Sequence, residues 1–463
     1  MIFESATILT MNANRQILEY GAVALTGKEI VAVGKSRELV EQYPHKRRIN
    51  CNGNVLLPGL VDTHVHLAQC MMRGISYRPP NPSCGFADVL TGLIWPFQGS
   101  YTAEDARASA ALCILEMIKS GTTAFVETLL AENYGIDSIA ELCLQSGIRA
   151  ALGKVVMDIS PEWRDRIRMH PGMWQTRESS IANTLAAHEK WDGEGDGRLQ
   201  VWFGCRSVAP RNNPTLFDEV GALARARNMG LTIHLAEQDV DVDYARSQGF
   251  RSPTEFAAAH GLLGPRSVLV HYIKSDEQDW GMVAASGTSI SHNPANNSYG
   301  GWGPAPTWDM LQAGANVALG CDSAPMDLLG DLRQAAFVAR VRAQSRAVMP
   351  PEMVLEMATL NGAQAMGIAG KVGSIEVGKR ADFIVINMDA PHLTPVWNPA
   401  ATLVRSATGT DVDTVVIDGQ IVMRGRKVLT LDEEAILDDV QKRYRAAAVR
   451  AGLQGTGPVW PTI

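Results

Sequence analysis

Cysteine is sparse and scattered: seven thiols in 463 residues, at 51, 70, 84, 113, 143, 205 and 321. No Cys-x-x-Cys pair occurs and the number is odd, which excludes a disulfide scaffold or a cysteine-built zinc module and predicts reduced, mostly buried thiols. No apolar run reaches membrane-spanning length, and Met1-Ile2-Phe3-Glu4-Ser5 lacks the basic segment of a secretion signal, so a soluble cytoplasmic protein without membrane partners is expected. Dense basic clusters are missing as well. The net charge is -7 and the strongest positive run is His45-Lys46-Arg47-Arg48, a solvated turn that argues against nucleic acid as a partner. What the chain does have is 46% hydrophobic content, enough for a large core, and a length that allows two or three domains or one barrel with a smaller appendage.

Both ends of the chain read as short strands. Ser5 to Thr10, Ala22 to Leu25, Ile30 to Val33 beyond a turn at Thr26-Gly27-Lys28, and Asn54 to Leu57 open it. The β-rich, glycine-punctuated runs Gly373 to Ile386 and Thr414 to Val422 match them near the other end. These segments predict one small β-sandwich domain assembled from residues 1–56 and 371–430, with a C-terminal helix and tail over 431–463. Between them, residues 57–370 alternate helix and short apolar strand. Thr102 and Asp105 cap a helix through Lys119 that stops at Ser120-Gly121 and leads into Thr122 to Val126. Further strands are read at Leu56 to Val65, Ile148 to Val156, Leu199 to Gly204, Leu231 to Leu235, Val268 to Tyr272, Thr288 to Ser291 and Val317 to Gly320. Eight strands, each followed by helical sequence, predict an α/β fold of the parallel (β/α)8 TIM-like barrel type, whose active site lies at the C-terminal strand ends.

Chemistry-bearing residues fall at those ends. His64 and His66 alternate along the first strand, so both imidazoles leave one face together and make half a metal site. His234 ends the fifth strand, His271 the sixth, His292 the seventh, and Asp322 the eighth. Buried imidazoles and acids are costly unless paired or metal-bound, which makes coincidence at so many strand ends hard to credit.

Taken with Leu57-Pro58-Gly59-Leu60-Val61-Asp62-Thr63-His64-Val65-His66, Ser120-Gly121-Thr122-Thr123, His234-Leu235-Ala236-Glu237, Val270-His271 and Gly373 to Ile386, the chain resembles the amidohydrolase superfamily, in the branch of metal-dependent deaminases and triazine hydrolases. The resemblance implies metal ligation by His64, His66, His234 and Asp322, with Glu237, His271 and Asp322 as the catalytic residues acting on water and substrate. The residue types suit that chemistry. Three imidazoles and a carboxylate leave a divalent cation one position for water, and Glu237 can carry the water's proton to a departing nitrogen. His271 orients the hydroxide or polarises the substrate, or is itself a ligand if the site is arranged differently. The fourth strand ends in Cys205-Arg206 without a lysine to carry a bridging carbamate, so one divalent metal per chain is expected: zinc foremost, with iron, manganese and cobalt accepted by the same ligands.

Two departures bear on substrate. Where purine deaminases of this branch usually carry Gly-Pro-His-Ala-Pro, the chain has Gly204-Cys205-Arg206-Ser207-Val208, and Asp322-Ser323-Ala324-Pro325-Met326-Asp327 replaces their Asp-Gly-x-x-Ser-Asn. Gln69, Trp95, Arg206, His292, Asn293 and Trp302 are read as substrate-binding residues, within an aromatic and methionine-rich mouth that also draws on Met71, Met72, Tyr77, Phe97 and Tyr299. These features predict hydrolysis of a non-peptide carbon-nitrogen bond in a small, largely apolar molecule, a xenobiotic such as an N-aryl urea, carbamate, thiocarbamate or amide. The competing reading is deamination of an aminoheterocycle of triazine, pyrimidine or purine type, or chlorohydrolysis. Beyond the small-molecule substrate, the partner expected is at most a second copy of the chain in a homodimer.

Overall fold

Eight strands run parallel in chain order around the centre of the computed structural model, which describes residues 1–75, 86–207, 212–323 and 325–453. They are Leu60–Val65, Thr122–Leu130, Arg149–Val156, Leu199–Ser207, Leu231–Leu235, Ser267–His271, Ser289–His292 and Asn316–Leu319. Every neighbour pair is hydrogen-bonded in parallel register from first to eighth. The seam between the eighth and the first is closed by main chain at the top of the barrel: Asp322 N donates to His64 O at 2.8 Å, and His66 N donates to Asp322 O at 3.3 Å. Val61, Ala124, Val126, Ala151, Trp202, Val268, Val270 and Ala318 fill the barrel interior with apolar side chains and leave its polar groups to the upper strand ends.

The run Leu56 to Val65, read as one strand, is two. Val55–Pro58 pairs antiparallel with Phe383–Ile386 of the β domain, and Leu60–Val65 pairs with Thr122–Leu130 of the barrel. The chain changes sheets at Gly59, where a Cβ would collide with the Thr123 side chain. Similarly, Gly373 to Asp382 is loop, with strand only over Phe383–Ile386; Gly373 and Gly378 sit at φ 88° and 87°, a conformation strands do not use.

The β domain is built from both chain ends, as read. Its nine strands are joined edge to edge, and Phe3, Val23, Leu25, Leu56, Phe383 and Val416 share an apolar cluster in which the Phe3 and Phe383 rings meet edge to face at 4.8 Å. The helix Ala103–Lys119 starts with the reciprocal Thr102 and Asp105 cap, and Glu433–Arg450 packs back against it. One buried ion group ties barrel to β domain: Arg149 Nε donates to Asp382 Oδ2 at 2.6 Å, and its other nitrogen reaches Asp382 Oδ1 and Asp418. Removing one partner of such a group strands the others in an apolar setting. Arg149→Ala is therefore expected to lower unfolding free energy by about 3–5 kcal/mol, read from the denaturant midpoint, with a smaller loss in Arg149→Lys. Among the described residues no helix is long and apolar enough to cross a membrane.

Candidate metal centre

At the barrel mouth the strand ends deliver four imidazoles and one carboxylate to one point. The His64 and His66 rings stand 4.7 Å apart, His234 lies 4.9 Å from His64 and stacks on His66 at 5.4 Å, and His271 is 5.4 Å from His234. Asp322 faces three of them: Oδ2 is 3.6 Å from His64 Nε2 and 3.4 Å from His271 Nε2, and Oδ1 is 3.5 Å from His66 Nε2. All five side chains are buried. The alternation of the first strand and the closing hydrogen bonds to Asp322 bring these groups together. Gly320 makes room for them, since a Cβ there would lie 2.8 Å from His64 Cβ.

Burial works against a charged ring at His64, His66 and His234. Burial pushes His66 down to about 3, with neighbouring His64 adding to the effect, and burial and then the Arg206 guanidinium hold His234 well below the usual imidazole range. Burial opposes ionisation of Asp322, but His64, His66 and His271 outweigh it and hold the carboxyl well below the usual carboxylate range. Lone pairs from four residues therefore converge. His64 Nε2 finds no hydrogen-bond donor among the described residues. Groups bound 2.0–2.2 Å from a tetrahedral ion stand about 3.4 Å from one another, which is the spacing of Asp322 from the imidazoles. The residues thus fit a divalent cation, in two overlapping sets: His64, His66 and His234, and His64, His271 and Asp322.

Around this set lies a layer that the sequence did not announce. Thr128 Oγ1 meets His64 Nδ1 at 2.6 Å, Asn297 Oδ1 accepts from His271 Nδ1 at 2.9 Å, and Asn296 Nδ2 donates to Asp322 Oδ2 at 2.7 Å. Two further buried acids grip main chain. Asp62 accepts from His64 N and Cys321 N, and Glu127 accepts from Leu67 N and Leu129 N; burial pushes each carboxyl up to about 7. His271 and Asp322 take left-handed φ of 68° and 64° as the chain leaves their strands, a conformation costing a non-glycine residue about 1–3 kcal/mol.

Glu237 is buried, with its main-chain N held by Asp241 Oδ2 at 2.9 Å and its Oε1 3.9 Å from His271 Nε2. The half-buried Trp302 ring stands edge-on to His271 at 5.3 Å. His292 and Asn293 are buried, and their side-chain polar atoms have no partners among the described residues. Arg206 lies close enough for its charge to act on His66 and His234. Gln69 is half-buried on the turn Leu67–Met72 that follows His66.

The aromatic mouth needs correction. Trp95, at 3% exposure, Phe97 and Met71 belong to the main apolar core, because Trp95–Gly99 folds as helix against Leu67–Met72, Pro171–Met173 and Glu433–Arg450. Tyr299 points into solvent at 92% exposure. Tyr77 and Ala324 lie outside the described residues, as do Val208 and the tail from 454 onward.

A parallel eight-stranded barrel with a buried histidine and aspartate cluster at its C-terminal mouth defines the class of metal-dependent barrel hydrolases. The chain belongs to the amidohydrolase family, whose model matches residues 55–422, and members of this kind cleave carbon-nitrogen bonds other than peptide bonds. It is 31% identical to a 5-methylthioadenosine/S-adenosylhomocysteine deaminase of Syntrophobacter fumaroxidans, over 97% of this chain and 98% of the relative. It is 30% identical to a 5'-deoxyadenosine deaminase of Methanosarcina mazei over 97% and 99%. An adenosine deaminase of Xanthomonas campestris with bound zinc superposes with a TM-score of 0.86 at 26% identity, over 96% and 97% of the two chains. The zinc complex of an Arthrobacter aurescens atrazine chlorohydrolase shares the fold, at the same TM-score and 24% identity over 96% and 99%.

Proposed function

We propose that the protein is a zinc-dependent aminohydrolase that replaces the amino group of an adenosine-like ring by oxygen. The relatives that match it end to end are deaminases of such rings, and this supports the competing reading of the sequence above its aryl urea reading. The observation that carries it is Glu237, a buried carboxylate facing His271 across 3.9 Å beside the His/Asp cluster. A halide leaves without a proton, whereas ammonia needs one, and this carboxylate is placed to supply it. His64, His66, His234 and Asp322 hold the metal, with His271 turned toward the same point. A bound divalent cation supplies Lewis acidity that ionises water near neutral pH. Glu237 accepts a proton from the attacking water and returns it to the departing nitrogen as the ring carbon gains oxygen and loses ammonia. Trp302 offers an aromatic edge to the substrate ring, and Trp302→Ala is expected to raise KM about tenfold with metal content unchanged. An unaltered KM removes it from the pocket.

The test is release of ammonia by zinc-loaded protein from 5-methylthioadenosine, S-adenosylhomocysteine and 5'-deoxyadenosine, followed by mass spectrometry beside a triazine and a phenylurea. Turnover of the phenylurea alone, with release of an arylamine, overturns the purine reading. One feature favours that second outcome. Arg206 shares a strand face with Trp202 in the barrel interior, and it is the extra residue of a bulge, since Ile233 pairs with Cys205 and His234 with Ser207. A guanidinium aimed beside His66 and His234 suits a carbonyl oxygen that gains negative charge, which a urea or carbamate has and C6 of adenosine lacks. Under this reading Arg206→Met suppresses hydrolysis of the phenylurea about 100-fold.

A further inference from the structure

We propose that Asn296 and Asn297, neighbours on the short helix Pro294–Tyr299 after the seventh barrel strand, are a paired positioning element in which one amide orients Asp322 as a donor and the other orients His271 as an acceptor. The inference rests on the metal-dependent reading above and goes beyond it by assigning residues that touch neither metal nor substrate.

Successive helix residues diverge by about 100°, so neighbours ordinarily serve different surroundings. Here the divergence is used. The helix follows the seventh strand, which lies between the sixth and the eighth, and the two asparagines, 8% and 2% exposed, reach His271 at the end of the sixth strand and Asp322 just beyond the eighth. The direction of the Asn296 amide is fixed by a second contact. Ser323 Oγ donates to Asn296 Oδ1 at 3.2 Å, which leaves Asn296 Nδ2 to face Asp322 Oδ2 at 2.7 Å. The Asn297 side-chain oxygen meets His271 Nδ1, and its main-chain O accepts from Trp302 N at 3.1 Å, which ties the residue to the ring that stands edge-on to His271.

The consequence for His271 is a defined tautomer. With Nδ1–H donating to Asn297 Oδ1, the lone pair sits on Nε2, which faces Asp322 Oδ2 at 3.4 Å. Two acceptors that close repel unless a cation lies between them. Asn297 therefore turns His271 toward the metal as an acceptor and not as a proton donor, choosing between the two roles its sequence position allows. Both His271 and Asp322 have left-handed main chain, so side-chain partners must hold what the backbone alone does not favour.

Because one amide must donate and the other accept, the same substitution has opposite effects at the two positions. A carboxylate accepts only. Asn297→Asp keeps the acceptor for His271, whereas Asn296→Asp removes the donor and sets a second carboxylate against Asp322. The experiment measures zinc affinity by competition with a chromophoric chelator and records the visible spectrum of the cobalt(II)-substituted protein, with circular dichroism to monitor folding. Asn297→Asp is expected to keep affinity within about threefold and to keep the spectrum, while Asn297→Leu and Asn296→Asp each lose about 10- to 100-fold. Equal losses in the two Asp variants, or none in either, overturn the proposal, because amides that only fill space respond alike. If Asn296→Asp fails to fold, Asn296→Leu removes the donor without adding charge, and full zinc affinity in that variant overturns it as well. A wild-type protein that binds no zinc overturns the metal-dependent reading itself, a result distinct from any of these.

Discussion

Glu237→Gln is expected to slow turnover by about 100-fold or more while the protein keeps its full complement of metal. The change is isosteric and leaves intact the hydrogen bond from the Glu237 main chain to Asp241, so the loop after the fifth strand stays where it is. Only the capacity to carry a proton is removed. The measurement pairs kcat for an amine-releasing substrate with metal stoichiometry on the same preparation. Full activity in the variant would sink the proton-transfer role, and loss of metal would move Glu237 into the ligand set.

Asp322→Ala is expected to lose metal and activity together, and His66→Ala and His234→Ala are expected to do the same. Asp322 is the one carboxylate in the cluster and faces three imidazoles at 3.4–3.6 Å. Its removal leaves neutral nitrogens with no anion to offset a dication, and it also strands the buried Asn296 donor. Elemental analysis decides this. Removing metal from the wild type with a chelator should abolish turnover and adding zinc should restore it, whereas Asp322→Ala should not respond. A variant that still holds one equivalent refutes ligation by that residue.

The contrast between these two substitutions depends on what the chain revealed in advance. His64 and His66 were legible because strand alternation and a run ending in two imidazoles point one way, and the Thr102 and Asp105 cap was legible because it is made within four residues. Asn296, Asn297, Thr128, Asp62 and Glu127 were not, since each acts on a group brought to it by folding. The tandem asparagine after His292-Asn293-Pro294 was the one local sign available, and on its own it reads as a turn. Trp95, Phe97 and Tyr299 were misplaced because an apolar side chain does not specify which apolar surroundings it will join. The break at Gly59 was hidden because both flanking halves are apolar and extended, so their patterns merge.

The hydrogen bonds that close the barrel have a consequence for the order of events in folding. The main-chain amide of Cys321 reaches the carboxylate of Asp62 across 259 positions, and Asp322 joins His64 and His66 beside it. Contacts that distant form late. During synthesis the two leading histidines therefore emerge long before the aspartate that completes their cluster, and until then the first strand is an open edge. A chain stopped short of the eighth strand keeps all four imidazoles of the cluster and lacks Asp322. Asp322 is thus the last of the five groups to arrive, and the cluster is complete only once the eighth strand has closed the barrel on the first.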